Sequence, residues 1–176
     1  MKQVILRIRT ANRDDAQPTR CGTEREVTPE EEDSILDSVL GPPPEEGEAD
    51  EMELTTAASL EISDTRYTVR YEESELSGME GTTTEITFDL REPSLVTVLR
   101  SGAFRCALVL ERGKYHTGMY ETPYFPLEVT TYTYALENRL GEDGGELKLD
   151  YRVRVGGISS IRTTLHAHIT LPEAER

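Results

Sequence analysis

Tryptophan is absent from the 176 residues, phenylalanine occurs three times and cysteine only twice. Cys21 lies in a polar stretch and Cys106 in an apolar one. Two cysteines do not make a disulfide framework, and no Cys-x-x-Cys spacing exists for metal or redox work. A reduced, cytoplasmic protein is the simplest expectation. Long apolar runs are missing as well: none approaches the roughly 18 residues of a membrane span. The start, MKQVILRIRT, lacks the extended apolar core of a secretory signal. No membrane association is therefore expected. Basic residues are scarce, 19 against 34 acids for a net charge of −15. An acidic chain repels phosphate backbones, so nucleic acid is not an expected partner.

Catalytic motifs are lacking too. No Gly-x-Ser-x-Gly pattern exists, so Ser101 beside Gly102 reads as a turn residue. No glycine-rich phosphate loop precedes a helix. Cys106 sits mid-strand among apolar residues, an inert setting for a thiol. The expectation is a non-enzymatic protein with no cofactor.

The acid is concentrated. Between Glu24 and Glu53 there are 13 acidic residues against one arginine, Arg25, which accounts for −12 of the total charge. Within this stretch Thr28-Pro29-Glu30-Glu31 supplies an N-cap, a proline at the first helical position and acids in the first turn. Ile35, Leu36, Val39 and Leu40 follow as a narrow apolar stripe, and Gly41 with three prolines ends it. The pattern predicts a short helix over 28–40, a candidate surface for a protein partner, inside an acidic insertion spanning 11–51.

Elsewhere the period is two. Leu147, Leu149, Tyr151, Val153 and Val155 alternate with Lys148, Asp150, Arg152 and Arg154, which predicts one strand with these five residues on a single face. Glu142-Asp143-Gly144-Gly145 before it supplies turn residues. Similar alternation marks a first strand over 1–10 and a run of strands over 52–171, before a polar tail at 172–176. About ten short strands joined by turns favour an all-β, antiparallel up-and-down barrel in a single domain. Several strands carry a second face of Tyr, Thr, Arg and His, as a barrel with a polar, wet interior would show.

Five ordered motifs resemble the YwiB-like bacterial proteins, a family of unknown function. They are Tyr71-Glu72-Glu73, Thr83-Thr84, Arg100-Ser101-Gly102, Tyr120-Glu121-Thr122-Pro123-Tyr124, and Gly144-Gly145-Glu146-Leu147-Lys148-Leu149-Asp150-Tyr151. The resemblance covers 52–171 and the first strand, and implies a lipocalin-like (calycin) barrel. Two features depart from it. Phe125 stands where the family has glycine, and 11–51 is an insertion between the first two strands.

Three groups are candidates for a site. Arg100 with Tyr71, Glu73, Tyr120 and Tyr124 stands at or near strand ends, where a guanidinium among phenols and a carboxylate could clamp a small anionic or amphipathic ligand. The alternative is a structural Arg–Glu pair closing the barrel end. The tyrosines could line a pocket or serve as half-exposed strand residues. His166 and His168 point to one side of one strand, with His116 as a third potential metal ligand; the alternative is an ordinary polar strand face. The functional expectations are a small-molecule binding barrel or, alternatively, a protein-interaction module.

Overall fold

The computed structural model describes residues 1–14, 49–121, 124–156 and 159–172. Ten strands follow one another: β1 (Lys2–Asp14), β2 (Asp50–Ile62), β3 (Arg66–Glu72), β4 (Thr82–Asp89), β5 (Leu95–Gly102), β6 (Arg105–Glu111), β7 (Tyr115–Glu121), β8 (Pro126–Gly141), β9 (Gly144–Val155) and β10 (Ser159–Thr170). Each pairs antiparallel with its neighbours in sequence, and β1 pairs with β10, so the sheet closes into an up-and-down barrel.

Alternation in the sequence becomes inside and outside in the barrel. Val4, Leu6 and Ile8 are buried while Arg7 and Arg9 are exposed. On β9, Leu147, Leu149 and Tyr151 are buried, and Val153 and Val155 pack against the same core, so all five residues share the inner face. One half of the interior is filled by fully buried Leu6, Leu60, Phe88, Leu110, Leu147 and Ile169. Most apolar faces point inward and most Arg and His residues outward, the exceptions being Arg100 and the tyrosines Tyr71, Tyr120 and Tyr151 toward one end of the barrel. The expectation that the mixed faces line the interior is thus corrected for all but one end of the barrel, since burying ionised side chains is costly even when they are paired. Outside, charge is laced into cross-strand pairs such as Arg9–Glu53 and Arg70–Glu85.

The fold-class expectation also needs correction. The described residues contain no α-helix; their only helical segment is a 3-10 turn at Glu75–Ser77. The helix expected over 28–40 lies outside the described residues. The strand bounds shift as well. β1 runs on to Asp14 and β2 starts at Asp50, with Ala11 opposite Glu51 and Asn12 opposite Asp50. Both residues also face β10, Ala11 against Thr164 and Asn12 against Thr163. Pairing on two sides holds this polar sequence extended where its own pattern reads as loop.

Two irregularities shape the sheet. The inward residues of β8 are Val129, Thr131 and Thr133, then Leu136, because the register against β9 shifts between Thr133 and Ala135. The extra residue, Tyr134, makes a β-bulge that switches which positions face the core. β6 pairs with β7 only at Arg105–Glu121 and Cys106–Tyr120. Beyond that, the Thr131 hydroxyl from β8 donates to the Val109 carbonyl at 2.8 Å. At the β8–β9 turn, Gly145 has φ +141°, and a Cβ there would stand 2.2 Å from the Arg139 carbonyl oxygen.

Candidate functional site

In an up-and-down barrel alternate strands finish at the same rim. Tyr71 is near the end of β3, Arg100 near the end of β5 and Tyr120 near the end of β7. Register then aligns them in one row. Tyr71 faces Thr84, Thr84 faces Arg100, Arg100 faces Cys106 and Cys106 faces Tyr120. A period of two along each strand turns the whole row to one side of the sheet, the inside. Here the interior is not filled. The row opens onto a cavity of about 470 Å³, bordered at the rim by Leu76, Ser77 and Met79 around the 3-10 turn. Its remaining wall is mostly aliphatic, including Leu108, Val129 and Val153.

Glu73, just beyond β3, is the buried anion of this site, its side chain only 3% exposed. One carboxylate oxygen accepts the Thr84 hydroxyl at 2.6 Å and the Tyr71 phenol at 3.1 Å. Arg100 Nε lies 3.8 Å from that same oxygen, and the Arg100 side chain keeps 24% of its surface. That separation is an ion pair but exceeds a hydrogen bond. Arg100 Nε is accordingly a buried donor with no acceptor.

Burial raises the Tyr71 phenol well above its usual pKa, and the Glu73 charge adds to the effect while Arg100 opposes it. Burial likewise raises Tyr120, Tyr151 and the Cys106 thiol, with Arg100 pulling each of them back. One guanidinium therefore acts on four titratable groups around the cavity. All four are protonated near neutral pH, the phenols as potential hydrogen-bond donors.

The sequence candidates divide accordingly. Tyr71, Glu73, Arg100 and Tyr120 come together around the cavity. Tyr124 does not: it is 89% exposed in the segment before β8, away from the cavity lining. Residues 122–123 of its motif, next to the Phe125 departure, lie outside the described residues. His166 and His168 stay together on the outer face of β10, whereas His116 stands on β7. His116 Nε2 contacts Glu111 Oε2 at 3.0 Å, while His166 Nε2 stands 3.8 Å from Glu146 Oε1. No group of three or more potential metal ligands occurs among the described residues. Tyr151, Cys106 and Thr163 also line the cavity, and Thr84 binds Glu73 beside it, although none of the four is a candidate from sequence. The signal that could have found Tyr151 is parity: β9, like β3, β5 and β7, ends at this rim.

The tyrosines take both expected roles. Tyr71, Tyr120 and Tyr151 line the cavity. Tyr115, Tyr132 and Tyr134 form a ladder of ring contacts at 4.5 and 4.8 Å, with the guanidinium of Arg162 over Tyr134 at 4.3 Å.

The profile of a family described as a domain of unknown function (DUF1934) matches residues 43–166. Among solved structures, the ywiB protein from Bacillus subtilis is similar over 95% of this chain and 91% of its own, with a TM-score of 0.66 and 16% sequence identity. At that identity the likeness concerns the fold. No curated protein matches.

Proposed function

We propose, since the chain belongs to the DUF1934 family, whose function is unknown, that it is a non-enzymatic barrel holding a small amphipathic molecule in its half-open interior. One observation carries this reading. Arg100, Tyr71, Tyr120 and Glu73 converge on a cavity of about 470 Å³ whose other walls are mostly aliphatic. Small-molecule sites are typically concave, mostly apolar and furnished with a few convergent polar groups. The Cys106 thiol, raised by burial, favours binding over nucleophilic chemistry at this place. Native mass spectrometry of protein purified from its own host tests the reading. A bound small molecule that is lost when Leu108 is replaced by Trp, which fills the cavity, supports it. A ligand retained in that variant overturns it.

A second reading, a protein-interaction module, draws on the outer ladder of Tyr115, Tyr132 and Tyr134 with the Arg162 guanidinium. Aromatic and arginine side chains are enriched at protein interfaces. The other surface considered for a partner, 28–40, lies outside the described residues.

A further inference from the structure

The binding reading leaves the occupant unnamed, and the polar groups of the cavity constrain what it can be. We propose that the cavity takes an amphiphile bearing a single carboxylate, with the carboxylate on Arg100 and an apolar body along Leu108, Val129 and Val153. This rests on the binding reading and goes further by choosing the headgroup.

Three observations select it. The first is the orphan donor. Arg100 Nε is buried and has no hydrogen-bond acceptor, although Glu73 lies only 3.8 Å away. The nearer Glu73 oxygen already accepts two hydroxyl protons, from Thr84 and Tyr71. Glu73 thus neutralises the guanidinium without satisfying its Nε–H, and a buried unsatisfied donor is costly to leave. A carboxylate oxygen fills that place with a charge-assisted bond, and a guanidinium has further N–H groups for the second oxygen.

The second is the charge count. Arg100 and Glu73 are the ionised residues of the lining, and together they are neutral. A monoanion leaves one net negative charge beside a guanidinium. A phosphate dianion leaves two, next to the Glu73 carboxylate and in a chain of net charge −15. A cationic headgroup would have only Glu73 to meet, whose side chain is 3% exposed. The third is the remaining wall, which offers aliphatic side chains to the body of the molecule. The phenols of Tyr120 and Tyr151, protonated at neutral pH, stand close enough to Arg100 to feel its charge and can donate to the same carboxylate.

The test uses the full chain with Cys21→Ser, so that Cys106 is the single thiol, and four probes sharing one tail. These are dodecanoate, dodecanol, dodecyl phosphate and dodecyltrimethylammonium, each below its micellar concentration. Calorimetry gives affinity, and slowed alkylation of Cys106 reports occupancy of this cavity. Dodecanoate is expected to bind about tenfold tighter than the other three, the size of one charge-assisted hydrogen bond. Arg100→Gln should bring dodecanoate down to the level of dodecanol and leave dodecanol unchanged. Glu73→Gln, which removes the competing carboxylate, should tighten dodecanoate, a gain that misfolding cannot produce. Dodecanol, the phosphate or the ammonium binding as tightly as dodecanoate overturns the headgroup while leaving the cavity reading intact. So does a loss of dodecanoate affinity in Glu73→Gln. Absence of binding and of Cys106 protection with all four probes overturns the cavity reading itself, and the inference with it.

Discussion

Replacing Arg100 by alanine separates its two partners, the buried carboxylate and any ligand, in the empty protein. Glu73 is 3% exposed and its charge is met by one guanidinium at 3.8 Å. Coulomb's law at an effective dielectric of about 20 gives roughly 4 kcal/mol for that separation. Leaving a buried charge without its partner costs about 3–5 kcal/mol. The Thr84 and Tyr71 hydroxyls remain to solvate Glu73, and water reaches the cavity vacated by the side chain. Both soften the loss, so about 3 kcal/mol is expected, the lower end of the range. Glu73→Gln alone should cost only about 1 kcal/mol, because the Arg100 side chain, with 24% of its surface exposed, keeps contact with water although its Nε is buried. The double variant should then be more stable than Arg100→Ala alone, since it no longer buries an unpaired anion. Urea unfolding of the four proteins gives the coupling energy directly. For a chain of this length, a loss of about 3 kcal/mol lowers Tm by roughly 6–12 °C. If the two single changes simply add, within about 0.5 kcal/mol, the pair is not an electrostatic unit and the reasoning fails.

Three further outcomes are expected. Thr131→Val removes the hydroxyl that donates to the Val109 carbonyl and should destabilise by about 1–3 kcal/mol; a denaturant midpoint unchanged within error would contradict the bridging role given to it. Gly145→Ala should cost more than Gly113→Ala, because a Cβ at 145 meets the Arg139 carbonyl oxygen at 2.2 Å whereas one at 113 meets nothing within 4 Å. Each also carries roughly 1–3 kcal/mol of strain from positive φ, and equal losses would refute the steric argument. Tyr71 and Tyr151 bind their protons more tightly folded than unfolded, so their contribution to stability is complete below the ordinary phenol pKa of about 10 and declines as pH rises above it. Absorbance at 295 nm should show these two ionising only with loss of the β-sheet circular dichroism, and full ionisation of all eight tyrosines in an intact barrel would be inconsistent with their burial.

Much of the fold was legible because inside and outside are written in a period of two. The run from Leu147 to Val155 could be assigned to one face from its sequence, and the barrel places it so. The bulge at Tyr134 was not legible. Thr131-Tyr132-Thr133-Tyr134-Ala135 is made of residues that suit either face of a strand, and only pairing with β9 selects the register. The extension of β1 through Asp14 was hidden for a related reason, since its support comes from β2 and β10 rather than from its own side chains. The direction of the mixed faces was misread because an alternating strand states that it has two faces without stating which is inner. For the cavity, strand-end positions sufficed to associate Tyr71, Arg100 and Tyr120. Thr84 and Cys106 are not legible as neighbours of Arg100 because their place beside it depends on register across β4–β6.

The β1–β10 seam has a consequence for how this chain reaches its structure. Most other neighbouring strands are joined by short turns and can pair as soon as both are made. The seam instead joins the first strand of the barrel to the last, pairing Ile5 with Thr170. Loop-closure entropy must be met in full before these contacts give anything back. Until then the meander has two unpaired borders, each a template for another chain. During synthesis that condition persists until β10 has left the ribosome, because β1 is the first strand of the barrel to be made and β10 the last. Shutting the cylinder is thus the late step of folding, and the concentration of open meanders sets the risk of aggregation. Once shut, the seam leaves neither β1 nor β10 as a border on which a neighbour could grow.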